Sequence, residues 1–372
     1  MKVVIAIDSF KGSLSSTEAG NAAAEGIRRA FPDAECVVRP LADGGEGTVD
    51  ALVSGMGGEL CEVEVTGPAG KPTVAKYGLL PGGTAVMEMA QASGITLVSG
   101  AGRNPLLTTT YGVGEMVLDA VKRGAAKFIV GIGGSATNDA GAGMLQALGW
   151  KLLDEGGRDL PRGGAALARA AKIVPPAPAG GFAPTALQFR VACDVRNPLC
   201  GPRGASAVFG PQKGATPAMV EELDAALSHF AALSGGDPES PGAGAAGGLG
   251  YAFKTFLGAE LTPGVDLILD ETGLERDIAD ADVVVTGEGR LDGQTVMGKA
   301  PIGVARLAKR HGKRVVAFAG CLGDGVEAVN AAGIDAFFPI LRRIVTLDEA
   351  LEVSLAAENL AAAAEQAFRL LG

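Results

Sequence analysis

Residues 127–143 read KFIVGIGGSATNDAGAG, an apolar run, Lys127-Phe-Ile-Val130, followed by glycines and small hydroxyl residues. The run predicts a buried strand, and the glycine-rich stretch predicts a turn that opens into a helix. Backbone N–H groups are bare at such a turn, and a helix N-terminus adds partial positive charge, so the segment reads as an anion site. The pattern recurs several times, each time beside an acidic or basic residue. That repetition points to phosphoryl chemistry on a small molecule.

Outward from this segment, Val3–Ile7 is predicted as a strand ending in Asp8-Ser-Phe-Lys11. Ser15-Ser-Thr-Glu18 has capping-box spacing and opens a helix that runs to Ala30 and stops at Phe31-Pro32. A strand near Cys36–Arg39, the loop Ala42–Thr48 and a short helix follow. This βαβα opening favours a parallel sheet. The C-terminal third repeats the rhythm, with strands at Asp282–Thr286, Arg314–Ala319 and Ala336–Ile340, and helices at Ile302–Arg310, Val326–Ala332 and Leu347–Leu371. Residues 63–281 differ. They open with alternating strands at Glu62–Val65, Thr73–Tyr77 and Ala85–Met89, hold most of the glycine-rich loops, and include irregular stretches at 155–186 and Ser234–Gly250. The expected fold class is α/β, in two domains. One carries a parallel sheet built from both chain ends (1–62 plus 282–372), and a second α/β domain (63–281) is inserted in it. The cleft between them is the default ligand site, and a plain tandem of two domains is the competing reading.

Bulk composition limits the function classes. Apolar residues make up 47% and charged residues 20% of the 372, as in ordinary globular proteins. Glycine is the outlier at 57 residues, about twice its usual share, without a period; much of it belongs in turns and ligand loops. A net charge of −10 argues against nucleic acid or an anionic membrane as partner. The N-terminal MKVVIAIDSF is too short an apolar stretch for a signal peptide, and no run approaches a membrane span. Five cysteines without a C-x-x-C pair read as reduced thiols, so a cytoplasmic protein is expected. The two histidines, His229 and His311, sit in helical patterns and read as surface or helix-end residues. Chemistry therefore rests on carboxylates, amides, lysines and arginines.

Candidate residues cluster after the predicted strands. Asp8, Ser9 and Lys11 follow the first, where open α/β sheets place ligands. Asp43 and Glu46 put two carboxylates on one glycine turn, a donor set suited to Mg²⁺. Glu115 follows Leu107-Thr-Thr-Thr-Tyr-Gly-Val-Gly114, whose hydroxyls either bind phosphate or cap a helix. Asp194 and Arg196 follow the strand Phe189–Ala192, and Lys213 lies in the loop Phe209–Gly214. Thr286–Asp292 gathers Glu288, Arg290 and Asp292 directly after a strand. Gly242–Gly247 matches G-x-G-x-x-G, but about one such match is expected by chance at this glycine content, and no strand precedes it. Gly131–Ala136 does follow a strand, with Asp154 near the distance of a ribose-binding acid, so a nicotinamide-dependent oxidoreductase is a rival. Gly293–Ala300 nearly spells a Walker A loop, yet Ala300 stands where a Mg²⁺-binding hydroxyl is needed. Lys299 remains a phosphate-binding candidate.

Together these segments resemble the type I glycerate kinases of bacteria. The resemblance is carried by DSFKGSLSS (8–16), ADGGEGT (42–48), NPLLTTTYGVGE (104–115), GIGGSATNDAGAG (131–143), ACDVRNPL (192–199), FGPQKGA (209–215), PGAGAAGG (241–248), TGEGRLD (286–292) and GKAPIGVA (298–305), in family order. It implies a two-domain α/β protein with a flavodoxin-like (Rossmann-like) part. It also implies ATP-dependent phosphorylation of D-glycerate with Mg²⁺, at the 2-hydroxyl, giving 2-phosphoglycerate and ADP. The residues themselves leave open the 2- or 3-position and the choice between monomer and homodimer. On chemical grounds, ATP phosphates are placed on Gly133, Gly134, Ser135, Thr137, Asn138 and Gly244, helped by Lys213 or Lys299. Mg²⁺ is shared among Asp43, Glu46 and Asp292. Arg196 or Arg290 clamps the glycerate carboxylate, since a guanidinium matches it bidentately. Lys11 binds phosphate, and Asp194 or, second, Asp8 is the base. Two rivals are an NAD(P)-dependent oxidoreductase of a small hydroxy acid and a non-catalytic small-acid-binding protein.

Overall fold

The computed structural model of the chain describes residues 1–45, 47–177 and 183–371. The strands are β1 (Lys2–Ile7), β2 (Glu35–Val38), β3 (Glu59–Thr66), β4 (Pro72–Leu80), β5 (Thr84–Glu88), β6 (Lys127–Gly131), β7 (Lys151–Leu153), β8 (Lys172–Val174), β9 (Gln188–Ala192), β10 (Glu260–Thr262), β11 (Val283–Leu291), β12 (Arg314–Leu322) and β13 (Ala336–Pro339). They fall into two compact units. The first comprises Met1–Asp43, Asp50–Gly57 and Val265–Gly372; the second comprises Gly44–Val49 and Gly58–Gly264.

In the first unit five strands form a wholly parallel sheet in the order β13-β12-β11-β1-β2. Numbered along this unit alone, the order is flavodoxin-like, and its winding reverses between β1 and β11. Strands buried on both faces read as continuous apolar runs, and their period of two sends alternate residues to opposite layers. Val4, Ala6, Val284, Val315 and Ala317 pack on one face with Ile302 and Leu307 of the helix Ala300–Arg310. Val3, Ile5, Val285, Val316 and Phe318 pack on the other with Ile27, Leu360 and Phe368. The capping box forms as the sequence predicts: the Ser15 side chain accepts the Glu18 N–H, and the Glu18 carboxylate accepts the Ser15 N–H.

Two elements differ from expectation. The strand predicted to end at Thr286 continues to Leu291, so the Thr286–Leu291 run is sheet rather than loop. Its glycines serve close approach instead of a turn: a Cβ on Gly287 would lie 2.1 Å from the Phe318 carbonyl oxygen. The single helix predicted over Leu347–Leu371 is two, Leu347–Leu351 and Val353–Arg369. Glu352 between them is extended (φ −63°, ψ 123°), and its carboxylate accepts the Leu355 N–H, starting a new helix where the old one stops.

The second unit holds a six-stranded mixed sheet, β10-β9-β6-β5-β4-β3, antiparallel from β3 to β5 and parallel from β5 through β10. Its core includes Tyr77, Met87, Met116, Leu145 and Phe253, with the Phe128 and Phe189 rings stacked at 4.8 Å. After β6 the chain crosses an irregular loop to a six-residue helix, Ala142–Ala147, and then to β7. β7 pairs antiparallel with β8 in a separate ribbon. A dinucleotide fold instead turns directly into its helix and then into the neighbouring parallel strand, whereas here β9, the parallel neighbour of β6, is reached only after the β7–β8 ribbon. Asp154 is engaged with Arg158 in a turn. The βαβ geometry of the oxidoreductase rival is therefore not formed here.

The helices Ser16–Ala30 and Val353–Arg369 touch through Gly26, where a Cβ would sit 1.9 Å from the Ala361 carbonyl oxygen. Gly26→Ala is expected to lower stability by about 1–3 kcal/mol despite alanine's better helix propensity. A urea midpoint equal to wild type would show that these helices do not depend on the contact.

Candidate active site

In the first unit the parallel register sets Ile7 opposite Gly287, and the Asp8 N–H donates to the Gly287 carbonyl at 2.9 Å. Asp8 and Glu288 therefore emerge side by side at the carboxyl ends of β1 and β11, at the reversal of winding where such sheets bind ligands. They line a cavity of about 410 Å³ with Lys11, Asp43, Arg290 and Lys299. Asp8 is buried and accepts the Ser9 N–H at 2.7 Å. Burial and the neighbouring Asp43 and Glu288 carboxylates push its pKa up to about 7, against the smaller opposing effects of the Ser9 N–H and Lys11. Burial also raises Glu288, although it accepts from Thr295 Oγ1 at 2.7 Å and pairs with Lys299 Nζ at 3.2 Å. Arg290 is exposed, with its Nε 3.3 Å from Asp292. Asp292 also accepts the Gln294 N–H. Among the described residues no group of three acidic, histidine or cysteine side chains forms a metal cage. Glu46 lies outside the described residues.

In the second unit the loop after β6 is tied down by its own chain. Gly133 and Gly134 are exposed, while Ser135 to Ala140 are buried. Gly94 and Ser135 form a β-bridge, and Thr108 Oγ1 donates to the Ala136 carbonyl. The Asp139 carboxylate accepts from Thr110 N and Oγ1, Gly141 N and Gly143 N. An internal carboxyl group thus takes amides at the start of the short helix, and burial raises its pKa against these hydrogen bonds. The hydroxyl of Thr110 serves this network, and Glu115 accepts the Thr66 N–H at 2.6 Å. Lys213 is fully buried, and its ammonium donates to the Thr137 carbonyl at 2.6 Å; burial lowers its pKa to about 7 against the pull of Asp139. Asn138 donates to Ser206 Oγ, while Thr137 Oγ1 and Asn138 Oδ1 are buried without a hydrogen-bond partner.

The 244–248 segment packs on this loop. The Gly244 N–H donates to the Asn197 carbonyl, the Ala140 N–H donates to the Gly247 carbonyl, and a Cβ on Gly247 would lie 2.0 Å from the Thr137 oxygen. Ala140 and Ala246, both in this contact region, hold φ of 51° and 52°, values few non-glycine residues adopt. Asp194 and Arg196 are exposed beyond the end of β9, where Asp194 accepts the Gly264 N–H at 2.9 Å.

The structure thus gathers Asp8, Lys11, Asp43, Arg290 and Lys299 in one cavity. In the second unit it buries Thr137, Asn138, Lys213 and Gly244, with Lys213 bonded to Thr137 and Gly244 to Asn197. Sequence reading did not select Asp139 as a site residue. Its signal was an acid two residues before a helix-opening glycine, the pattern of a capping side chain.

An acid with a raised pKa beside two lysines and an arginine, at the ends of adjacent parallel strands, forms a site suited to a small anionic ligand in an α/β protein. Comparison with known proteins narrows the class. The family model described as the Glycerate kinase family matches residues 3–372. The chain is 50% identical to the glycerate kinase of Haemophilus influenzae, covering 100% of this chain and 99% of that one. It is 48% identical to the glycerate 2-kinase of Escherichia coli, covering 97% of each. A solved structure from Salmonella typhimurium LT2 that carries the name glycerate kinase 2 matches with a TM-score of 0.90 at 48% identity, over 100% of this chain and 98% of that chain. This chain belongs to the glycerate kinase family.

The folded pKa of Asp8, about 7, lies above its ordinary 3.8, so folding favours the protonated acid. This contribution to stability is fully present below about pH 4 and is lost as pH rises through 7. Asp8→Asn is therefore expected to exceed wild type in stability at pH 8, by on the order of 4 kcal/mol, with the gap closing toward pH 4. Denaturation curves whose difference is the same at both pH values would contradict the placement of Asp8.

Proposed function

We propose that the chain transfers the γ-phosphoryl group of ATP to the 2-hydroxyl of D-glycerate, giving 2-phosphoglycerate and ADP. The observation that carries this reading is the Asp8 carboxyl in its cavity: a base works best with a pKa near the operating pH, and this one is about 7. Asp8 accepts the proton of the glycerate hydroxyl as that oxygen bonds to phosphorus and the bond to the departing ADP breaks. Arg290, exposed at the cavity, holds the glycerate carboxylate through its planar fork. Lys11 and Lys299 neutralise phosphoryl oxygens, and such positioning and charge neutralisation supply most of the catalysis in this reaction class. Asp43 would hold Mg²⁺, which draws charge from the transferring group. The relatives named glycerate kinase and glycerate 2-kinase support the substrate and the position.

The direct test is Mg²⁺-dependent ADP release from ATP and D-glycerate, followed by addition of enolase. Immediate enolase turnover is expected. ADP release without it would move the phosphate to the 3-hydroxyl, and no ADP from folded protein would refute the assignment.

Asp8→Asn is expected to lower turnover about 10²-fold or more while nucleotide binding survives. Near-normal turnover in Asp8→Asn, with severe loss in Asp194→Asn, would move the base to the end of β9.

A further inference from the structure

The cavity at the ends of β1 and β11 has two chemically different parts. Its charged groups come from the β1 loop, Asp43, β11 and Lys299. Another part of the wall comes from the segment after β13 and the short helix Leu347–Leu351, through Ile340, Leu341, Leu347, Ala350 and Leu351. No side chain of this second set can form a hydrogen bond. Leu341 and Leu347 are 38% and 72% exposed although they line the cavity, so they present apolar surface without a protein cover. The short helix is a separate element, capped at Thr346 and ended at Glu352, and Ala356 of the helix that follows lines the same cavity.

D-Glycerate carries an oxygen on each of its carbons and leaves these leucines nothing apolar to contact. A volume of about 410 Å³ also falls in the range of sites for ligands of nucleoside size, about 300–1,000 Å³. Of the participants in the proposed reaction, the nucleobase is the one with a large, flat, weakly hydrated surface. We infer that the base of the nucleoside triphosphate lies against the Ile340–Leu351 wall, with its phosphates directed toward Lys11 and Lys299. This assignment rests on the functional reading above and adds to it the place of the nucleoside. Charge complementarity supports the assignment: Lys11 and Lys299 line the same cavity as the leucines, within reach of a triphosphate attached to the base.

The test is Leu347→Ser, at an exposed position where the fold has little to lose. Its thermal midpoint is expected to match wild type. The KM for ATP is expected to rise about tenfold, with the KM for D-glycerate within twofold of wild type. A fluorescent N-methylanthraniloyl-ADP is expected to bind correspondingly more weakly, whereas inhibition by inorganic tripolyphosphate, which has no base, stays unchanged. An unaltered KM for ATP would overturn the inference. So would an equal loss for both substrates, as from a strap that closes over the whole site, or a parallel loss of tripolyphosphate inhibition. If wild type released no ADP with D-glycerate, the functional reading would fail, while nucleotide binding to wild type and variant would still decide where the base sits.

Discussion

Strands β1 and β11 pair in parallel from Val3 against Val283 to Ile7 against Gly287, although about 280 residues of chain separate them. This pairing joins the two ends of the sequence into one sheet and creates the reversal of winding. It also brings Asp8 level with Glu288. Without it the N-terminal strand would offer an acid and a lysine on a loop, and β11 a glutamate and an arginine on another. With it, carboxylates are forced together in a partly closed cavity, and their repulsion adds to burial in raising Asp8. The glycines of β11 serve the same constraint. Gly287 lets β12 approach closely, and Gly320 does so from the other strand, where a Cβ would lie 2.5 Å from the Gly289 oxygen.

The second unit handles charge in the opposite way. Asp139 and Lys213 are fully buried and satisfied by backbone groups and hydroxyls of the surrounding loops. Buried polar groups of this kind are tolerated when they are hydrogen-bonded, and they fix the conformation of what they touch. Here they fix the stretch from Thr137 to Gly143, together with the strained Ala140 that packs on Gly247. One glycine-rich motif is therefore braced from inside, while Gly133 and Gly134 remain at the surface.

Much of the first unit was legible because local signals and tertiary packing agree. The Val3–Ile7 run is apolar on both faces, and Ser15 with Glu18 marks a helix start without reference to the rest of the chain. The reading failed where glycine has two meanings. Gly287 and Gly289 suggested a turn after a strand, but they permit a longer strand with close neighbours. The break at Glu352 was hidden because alanine-rich sequence on either side favours helix, and a glutamate as N-cap gives a weak signal. For the site, residue types in loops after strands drew attention to Asp8, Lys11, Asp43, Arg290 and Lys299, which the structure brings to one cavity. Spacing alone could not tell that Lys213 is buried on a carbonyl, because burial of a lysine depends on contacts far away in sequence.

The central claim is that the β1–β11 pairing holds Asp8 as an acid that titrates near neutrality. Carbon-13 NMR of aspartate carboxyls across pH 3–9, with Asp8→Asn to assign the resonance, measures this directly. A midpoint near 7 for the resonance missing from the variant is the predicted result. A midpoint near the ordinary 3.8 would mean that the carboxylates at these strand ends are not packed together, and the proposed role of Asp8 as base would fail.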